Sequence, residues 1–285
     1  MSEVKVVQSL LSDQARLLLL VGLCGLLWSL ESIAPLYQYQ HSRIRHALPN
    51  VALTLVLVVT NLALSFSSAY LASFSVRHRV GLFTLVAMPT WSKALLGIAA
   101  LDLFAYAAHV LLHKSWLGWQ FHRVHHSEGA VDVTTTFRQH PGETIWRILW
   151  QLAAILLFGL PLWVVIIYLI LSSLNAQLEH ANIRMNHKLD SFLRLLLVTP
   201  HMHKVHHSRH QKETDSNYSN IFSLWDRLFG TYTAAIDFRR LRYGLDGFDV
   251  VDRQTLPGLL KMPFVTYKLR NDHLKAVRSA FAIKR

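Results

Sequence analysis

The sequence predicts an all-α membrane protein in which a bundle of spanning helices carries a histidine-rich polar cap. Hydrophobic residues make up 52% of the 285 residues and charged residues only 16%, whereas about a quarter of the residues in a soluble domain are charged. Long apolar stretches alternate with polar stretches, and the polar stretches hold most of the 17 histidines. The single cysteine, Cys24, excludes an intrachain disulfide and any metal site built from several cysteines.

The first three spanning helices are predicted at about residues 15–37, 50–74 and 92–113. Each stretch reaches the length of about 20 apolar residues that a helix needs to cross a hydrocarbon core of about 30 Å. Between the second and third stretches, the short amphipathic segment 80–89 is expected to lie in the membrane interface.

The fourth apolar stretch, residues 145–178, is long for one straight span and contains Gly-Leu-Pro at 159–161. Pro161 has no amide hydrogen and therefore breaks or kinks a helix. We expect a hairpin of two helices that bends at these three residues, rather than a single kinked span. A hairpin returns the chain to the side from which it came, so the histidines before and after it would meet.

The formal charge of +12 comes from 29 Lys+Arg against 17 Asp+Glu. The basic residues flank the apolar stretches and crowd the C-terminal part, which is typical of side chains that face the cytoplasm and lipid headgroups. We therefore expect an integral, multi-pass membrane protein with its histidine-rich cap on the cytoplasmic side. The sequence contains no nucleic-acid-binding motif, so a nucleic-acid partner is not expected.

Three ordered groups of histidines stand at the ends of apolar stretches and in the polar cap. His109 and His113 are four residues apart, which puts them on one face of a helix. The phrases HRVHH at 122–126 and HKVHH at 203–207 repeat one spacing. Within a phrase, the first histidine can share a metal ion with the second or the third. Adjacent histidines point about 100° apart on a helix, so one phrase can serve two ions.

Imidazole is largely uncharged at neutral pH and suits iron, zinc, copper and nickel, so the pattern predicts two metal ions, each held by several imidazoles. His180 joins the set because a helix in the fourth apolar stretch would deliver it to the cap. The predicted metal ligands are His109, His113, His122, His125, His126, His180, His203, His206 and His207. His187, His201 and His210 are expected to contact the ligands from outside the metal site or to lie at the protein surface.

The order of these motifs resembles the fatty acid hydroxylase/sterol desaturase superfamily of integral-membrane di-metal oxygenases. Three segments are similar to stretches that accompany the histidine motifs of that family: DLFAYAAHVLLH (102–113), FRQHPGE (137–143) and DSNYSNIFSLWDRLFGTY (215–232). The resemblance covers about residues 95–235. Two positions depart from the family pattern: Ala176 stands where some members have a further histidine, and Ser219 stands where another form has glycine.

The resemblance implies a non-haem di-iron centre that uses O2 to hydroxylate or desaturate an unactivated C–H bond of a lipid, such as a sterol, a fatty acyl chain or a related isoprenoid. Zinc can occupy such a site in the purified protein. The lipid would enter from the bilayer, and electrons would come from an external redox protein, because the chain has no recognisable redox domain. No catalytic residue beyond the metal ligands is implied.

The same reasoning divides the chain into three parts. Residues 1–94 would hold N-terminal transmembrane helices and the interfacial segment. Residues 95–235 would form the histidine-motif catalytic domain, and residues 236–285 a basic C-terminal tail.

Several polar residues are candidates for hydrogen bonds to the ligands. Asp102 shares a helical face with His109, and we expect it to accept a hydrogen bond from the second ring nitrogen of a ligand. His140 and Asp226 are expected to support the site in a similar way. Further acidic candidates for such a role are Glu128, Glu143, Glu179 and Asp215.

Three other functions are compatible with parts of the pattern. A membrane zinc hydrolase needs one metal ion and a carboxylate base, but the sequence has no HExxH motif and has more histidines than one zinc ion requires. A metal transporter needs polar residues within the spans, where only Glu31 and Asp102 clearly lie. Haem binding by paired histidines leaves the HxxHH phrases unexplained.

Overall fold

The computed structural model describes residues 13–39, 42–234, 238–248 and 250–265. Within these ranges the chain forms helices and loops with no β-strand, which confirms the predicted all-α class. The α-helices are α1 (Asp13–Ile33), α2 (Arg43–His78), α3 (Leu82–Leu85), α4 (Thr90–Lys114), α5 (Trp116–His126), α6 (Pro141–Phe158), α7 (Leu162–His180), α8 (His187–Leu193), α9 (Pro200–His206), α10 (Gln211–Thr214), α11 (Leu224–Leu228) and α12 (Leu256–Lys261). Short 3₁₀ helices occupy Val133–Phe137, Phe238–Arg240, Val251–Gln254 and Met262–Phe264.

Among the described residues, four apolar segments are long enough to cross a membrane: Gln14–Ile33, Arg43–Leu85, Thr90–Lys114 and Leu162–His180. Large apolar side chains cover their outer faces; Leu18 is 73% exposed and Val59 is 72% exposed. A continuous apolar surface of this kind is stable against lipid chains rather than against water. The protein is therefore built as a multi-pass membrane protein.

The second helix begins earlier than the predicted boundary at residue 50. Ser42 caps it, since its side chain accepts a hydrogen bond from the amide of Arg45. Pro49 lies inside α2, where its missing amide leaves one main-chain bond unmade without ending the helix. The boundary thus follows the capping residue, and α2 extends beyond the apolar stretch into the polar cap.

The fourth apolar stretch is a hairpin, as predicted. Helix α6 ends at Phe158, and Gly159 follows in the left-handed conformation with φ of 67°, its amide bonded to the carbonyl of Ile155 at 2.8 Å. Pro161 is the residue before α7. The hairpin brings the start of α6 and the end of α7 to the same end of the bundle, where the histidines lie.

Helix α4 packs against both α6 and α7, and these contacts form the apolar centre of the bundle. Gly97 on α4 allows close contact with α7, because a Cβ atom there would lie 2.7 Å from Cγ1 of Val164. The short helix α3 buries Phe83 against Phe158 next to the hairpin bend, with ring centroids 5.4 Å apart. The interfacial position of segment 80–89 stays a prediction.

Buried charged side chains connect the helices to the polar cap. The Lys204 ammonium donates to the carbonyls of Val131 (2.7 Å) and His180 (2.5 Å). One carboxylate oxygen of Glu31 accepts from the amides of Val133 and Asn182, each at 2.8 Å. Each of these side chains therefore satisfies main-chain groups from segments far apart in the sequence.

A third buried charged side chain, Arg138, connects α2 to the cap. Its guanidinium donates to the carbonyl of Val124 at 2.9 Å, to Oδ1 of Asn50 at 3.0 Å and to Oγ of Ser127 at 2.9 Å. The end of α2 that extends past the apolar stretch is thereby fixed to the residues around α5.

The described part of the C-terminal segment covers this cap. Leu259 and Met262 pack against Leu53 and Val124, and the guanidinium of Arg123 donates to the carbonyls of Met262 and Val265. The predicted N-terminal part begins with residues 1–12 and the predicted basic tail ends with residues 266–285; both of these stretches lie outside the described residues.

Replacement of Gly159 by alanine should destabilise the hairpin by at least about 1–2 kcal/mol, because an L-residue is strained at positive φ. The added Cβ atom would also lie 2.5 Å from the carbonyl oxygen of Val80. Thermal unfolding of the purified protein in detergent measures the loss. Gly22→Ala is the control, since a Cβ atom there meets no heavy atom within 4 Å. A G159A variant with the stability of G22A would contradict this account of the bend.

Candidate metal centre

Nine histidines converge into two groups at the cap end of the bundle. Within each group, one ring nitrogen of every member lies within 4.8 Å of those of the others. Group one consists of His109, His113, His122, His126 and His206; group two consists of His125, His180, His203 and His207. The structure therefore brings together all nine histidines that the sequence singled out, and every one of them is fully or largely buried.

The two HxxHH phrases divide their histidines between the two groups in opposite ways. The phrase on α5 gives its i and i+4 histidines, His122 and His126, to group one and the histidine between them to group two. The phrase at α9 gives His203 and His207 to group two and His206 to group one. Adjacent histidines thus face different groups, as the 100° step of a helix predicts.

The ring nitrogens within each group are very close. In group two, the Nε2 atom of His180 lies 3.0 Å from that of His203, 3.2 Å from that of His207 and 3.1 Å from that of His125. In group one, the Nε2 atom of His122 lies 3.0 Å from that of His109 and 3.2 Å from that of His126. Two nitrogens that each bind one ion at about 2.1 Å, at angles near 90–110°, are about 3.0–3.4 Å apart.

In group two, His180 and His125 face each other in a way that excludes a hydrogen bond. The Nδ1 atom of His180 is 2.7 Å from the carbonyl of Ala176, and that of His125 is 3.2 Å from the carbonyl of Arg138. A carbonyl can only accept, so each Nδ1 carries the hydrogen and each Nε2 of a neutral ring carries a lone pair. Burial lowers the pKa of His125 well below its usual value, which keeps that ring neutral.

Group one shows the same arrangement. The Nδ1 atoms of His109 and His206 donate to the carbonyls of Tyr218 and Ser216, each at 2.7 Å. The Nε2 atom of His206 is buried and makes no hydrogen bond, and burial lowers the pKa of this ring well below its usual value. Lone pairs that face one another without a hydrogen repel, whereas a cation between them would bind them all. The donor set therefore fits a transition-metal ion in each group.

Two carboxylates lie beside the outer ring nitrogens of group one. Oε1 of Glu143 is 3.0 Å from Nδ1 of His122 and also accepts from Nε of Arg147 at 2.8 Å. Oδ1 of Asp215 is 3.5 Å from Nδ1 of His113. Neither contact has the geometry of a hydrogen bond, since both ring nitrogens are buried without one, but each places a carboxylate beside its ring. The sequence had indicated both residues only as general candidates for supporting roles.

Asp102 has a different role from the one predicted. Its carboxylate accepts from the amide of Ile221 (3.2 Å), the amide of Phe222 (3.0 Å) and the indole of Trp225 (2.9 Å), rather than from a ring nitrogen of a ligand. The shared helical face with His109 is correct, but the neighbouring loop supplies three donors that occupy the carboxylate. Asp102 therefore anchors the loop that follows Tyr218.

Asp226 and His140 also act through the main chain. Asp226 accepts from the amides of Tyr218 (2.8 Å) and Ser219 (3.0 Å), so it holds the loop whose Tyr218 carbonyl orients His109. His140 caps α6, since its Nδ1 accepts from the amide of Gly142 at 3.0 Å, and its Nε2 donates to the carbonyl of Leu260 at 3.2 Å. Neither side chain contacts a ligand ring through these bonds.

The acceptors that sequence reasoning missed are main-chain carbonyls. Those of Arg138, Ala176, Ser216 and Tyr218 receive the outer hydrogens of four of the histidines. Every residue has a carbonyl group, so no residue type marks these positions in the sequence. The nearest available signal is Asp226, whose carboxylate fixes one of these carbonyls.

Residues 94–231 match the family model described as fatty acid hydroxylase, an assignment that covers just under half of the chain. This assignment confirms the resemblance drawn from the histidine motifs. No solved structure is significantly similar to the chain.

Curated relatives share about half of the chain. Ornithine lipid hydroxylase OlsE of Rhizobium tropici is 32% identical over 144 residues, which cover 50% of this chain and 43% of that protein. Alkylglycerol monooxygenase of Homo sapiens is 30% identical over 55% of this chain and 33% of its own length. Methylsterol monooxygenase 2-2 of Arabidopsis thaliana is 27% identical over 60% of this chain and 64% of its own length. The matches thus span less than half the length of the first two relatives.

Replacement of Asp226 by alanine should lower the free energy of unfolding by about 2–4 kcal/mol, because two buried amides would lose a charged acceptor. Denaturant or thermal unfolding in detergent measures this loss. Asp246→Ala is the control: Asp246 is an exposed carboxylate that pairs with Arg209 at 3.1 Å, and exposed pairs contribute about 0–1 kcal/mol. Equal stability of the two variants would show that Asp226 does not hold the loop.

Proposed function

We propose that this protein is a membrane di-iron oxygenase that hydroxylates or desaturates an unactivated C–H bond of a lipid, using O2 and electrons from an external donor. The observation that carries this proposal is the convergence of imidazole lone pairs into two adjacent groups at the ends of membrane-spanning helices. The match of residues 94–231 to the fatty acid hydroxylase family model supports the reaction class.

Group one and group two would each hold one iron ion, with the nine predicted histidines as ligands. When bound, the iron pair supplies the activation of O2, which protein side chains alone do not provide. The contribution of the chain is to present neutral imidazoles, to fix the orientation of four of them through carbonyl acceptors, and to enclose the site. Zinc would fit the same nitrogen donors and can replace iron during purification.

A lipid substrate is supported by the position of the site. His109 and His113 lie near the end of α4, and His180 is the last residue of α7; both helices are apolar enough to cross the bilayer. We therefore propose that a lipid chain enters the centre from the hydrocarbon phase. Three relatives are named for action on an ornithine lipid, an alkylglycerol and a methylsterol, so the shared reaction is oxidation of a lipid, while the particular lipid differs among them.

We further propose that residues 95–235 form the catalytic domain, with residues 1–94 as the N-terminal membrane part and residues 236–285 as a basic tail. The excess of Lys and Arg supports a cytoplasmic position for the cap. A cytoplasmic cap would meet an electron donor of that compartment, which agrees with the need for external electrons.

The purified protein should bind two transition-metal ions per chain. His206→Ala should remove the ion of group one and His203→Ala that of group two, so each variant should retain about one ion, because each loses a buried nitrogen donor. Elemental analysis measures the stoichiometry. His187→Ala is the control, since His187 lies at the exposed start of α8. A wild-type protein with a single zinc ion would favour the hydrolase alternative.

A host that expresses the chain together with a competent reductase should form an oxidised or unsaturated lipid only when O2 is present. Mass spectrometry after growth under ¹⁸O₂ should detect labelled alcohol, or new unsaturation without label. The His125→Ala variant should abolish the product, because His125 belongs to group two and its ring nitrogen faces His180. Product formation that persists without oxygen would exclude an oxygenase.

A further inference from the structure

The two groups of histidines are unequal. Group one has five imidazoles and group two has four. On α7, residue 176 is alanine, one turn before His180, so the helical face that carries His180 offers no second side-chain donor there. The carbonyl of Ala176 accepts the outer hydrogen of His180. Group two is therefore one side-chain donor short of group one.

The side chain of Glu179 lies at the edge of group two. It belongs to the last turn of α7 and is 3% exposed. Its Oε1 atom is 3.8 Å from Nε2 of His203, which is one of the inward nitrogens of group two. The amide of Asn175 donates to Oε2 at 3.4 Å and also to the carbonyl of Asn220 at 2.5 Å. Asn175 thus contacts one carboxylate oxygen, while the other oxygen lies on the side of His203.

The distance to His203 is compatible with a shared ion, but Glu179 does not belong to the set of four residues whose ring nitrogens lie within 4.8 Å of one another. Its side chain would therefore have to move toward those nitrogens when the ion binds. Two donor atoms that each bind one transition-metal ion at about 2.0–2.2 Å are separated by at most about 4.2 Å. The 3.8 Å between Oε1 of Glu179 and Nε2 of His203 lies inside this limit. Nearby cations direct their hydrogen bonds elsewhere: Lys204 donates to two carbonyls, and Arg147 pairs with Glu143.

The balance of charge points the same way. Neutral imidazoles bring no negative charge, so two buried divalent cations require nearby carboxylates. Group one has Glu143, 3.0 Å from His122, and Asp215, 3.5 Å from His113. Among the described residues, Glu179 is the carboxylate that lies within 4 Å of a ring of group two. Without it, the second ion would lack an adjacent negative charge.

We propose that the Glu179 carboxylate is a direct oxygen donor to the metal ion of group two. Group two is then a site of four imidazoles and one carboxylate, whereas group one is a site of five imidazoles. This assignment rests on the proposed function, because it requires an ion in each group. It makes the two ions chemically different, since only one of them has an anionic ligand.

The test uses the full-length protein, purified in lipid nanodiscs and loaded with ⁵⁷Fe. Wild-type protein should bind two ions and show two distinct Mössbauer doublets. Glu179→Gln keeps the size of the side chain and removes its charge, and it should weaken binding of one ion at least about tenfold in competition with a chelator. The doublet that His203→Ala removes should be the one that changes, and the doublet that His206→Ala removes should not.

Two further variants make the result specific. Glu179→His supplies an imidazole in place of the carboxylate and should restore much of the lost affinity. Glu31→Gln is the matched control: Glu31 is another buried glutamate at the cap end of a spanning helix, and its oxygens bond to main-chain amides and to Arg43. It should leave both iron affinities and both doublets unchanged.

A measurement on metal-free protein separates ligation from a structural role. A ligand carboxylate that is buried without its cation is unfavourable, so chelator-treated E179Q should unfold at the same temperature as treated wild-type protein, or at a higher one. A markedly lower unfolding temperature would assign Glu179 a structural role and overturn the proposal.

The outcomes distinguish this proposal from the function on which it rests. If wild-type protein binds two ions and E179Q binds both with unchanged affinities and doublets, Glu179 is not a ligand, while the di-iron function stands. If wild-type protein never binds a second ion, the proposed function fails first, and the assignment of Glu179 fails with it.

Discussion

The whole centre depends on one constraint: each imidazole must present a lone pair inward, and its other nitrogen must therefore donate to a fixed oxygen. For four of the nine rings the structure meets this constraint with main-chain carbonyls, as for His180 on Ala176 and His206 on Ser216. A hydrogen bond of this kind selects one tautomer and one ring orientation. Because nine rings converge, an acceptor displaced by a small distance would turn a metal donor away from its group.

Buried charges serve this constraint through the main chain. Asp226 and Asp102 hold successive parts of the loop 218–225, and Lys204 binds the carbonyl of His180. Charged groups near a membrane are costly unless their partners satisfy them. Here Asp102 and Lys204 bond to main-chain groups from distant segments, and Asp226 bonds to amides seven and eight residues earlier in the chain. These bonds hold the main chain whose carbonyls orient the ligands. Asp102, expected to contact a ligand directly, belongs to this supporting layer.

The repeated HxxHH phrase has a geometric explanation. Each phrase contributes two histidines to one group and one histidine to the other, and the two phrases do so in opposite senses. Both groups therefore contain residues from α5 and from the segment at α9, which are separated in sequence by the hairpin of α6 and α7. Neither group can form until the hairpin has closed, so assembly of the site and folding of the bundle are coupled.

The sequence by itself determined the helical class, the approximate positions of the apolar spans, the hairpin bend at residues 159–161 and the nine histidines that converge. Each of these follows from local chemistry. Periodicity and the absence of an amide on Pro161 act within a few residues, and imidazole is a rare and distinctive donor. Only the tertiary structure decided how the histidines divide between two groups, which carbonyls orient them, and that Glu179 lies 3.8 Å from His203. These features depend on main-chain atoms and on contacts between segments far apart in the chain, and a residue type carries no information about either.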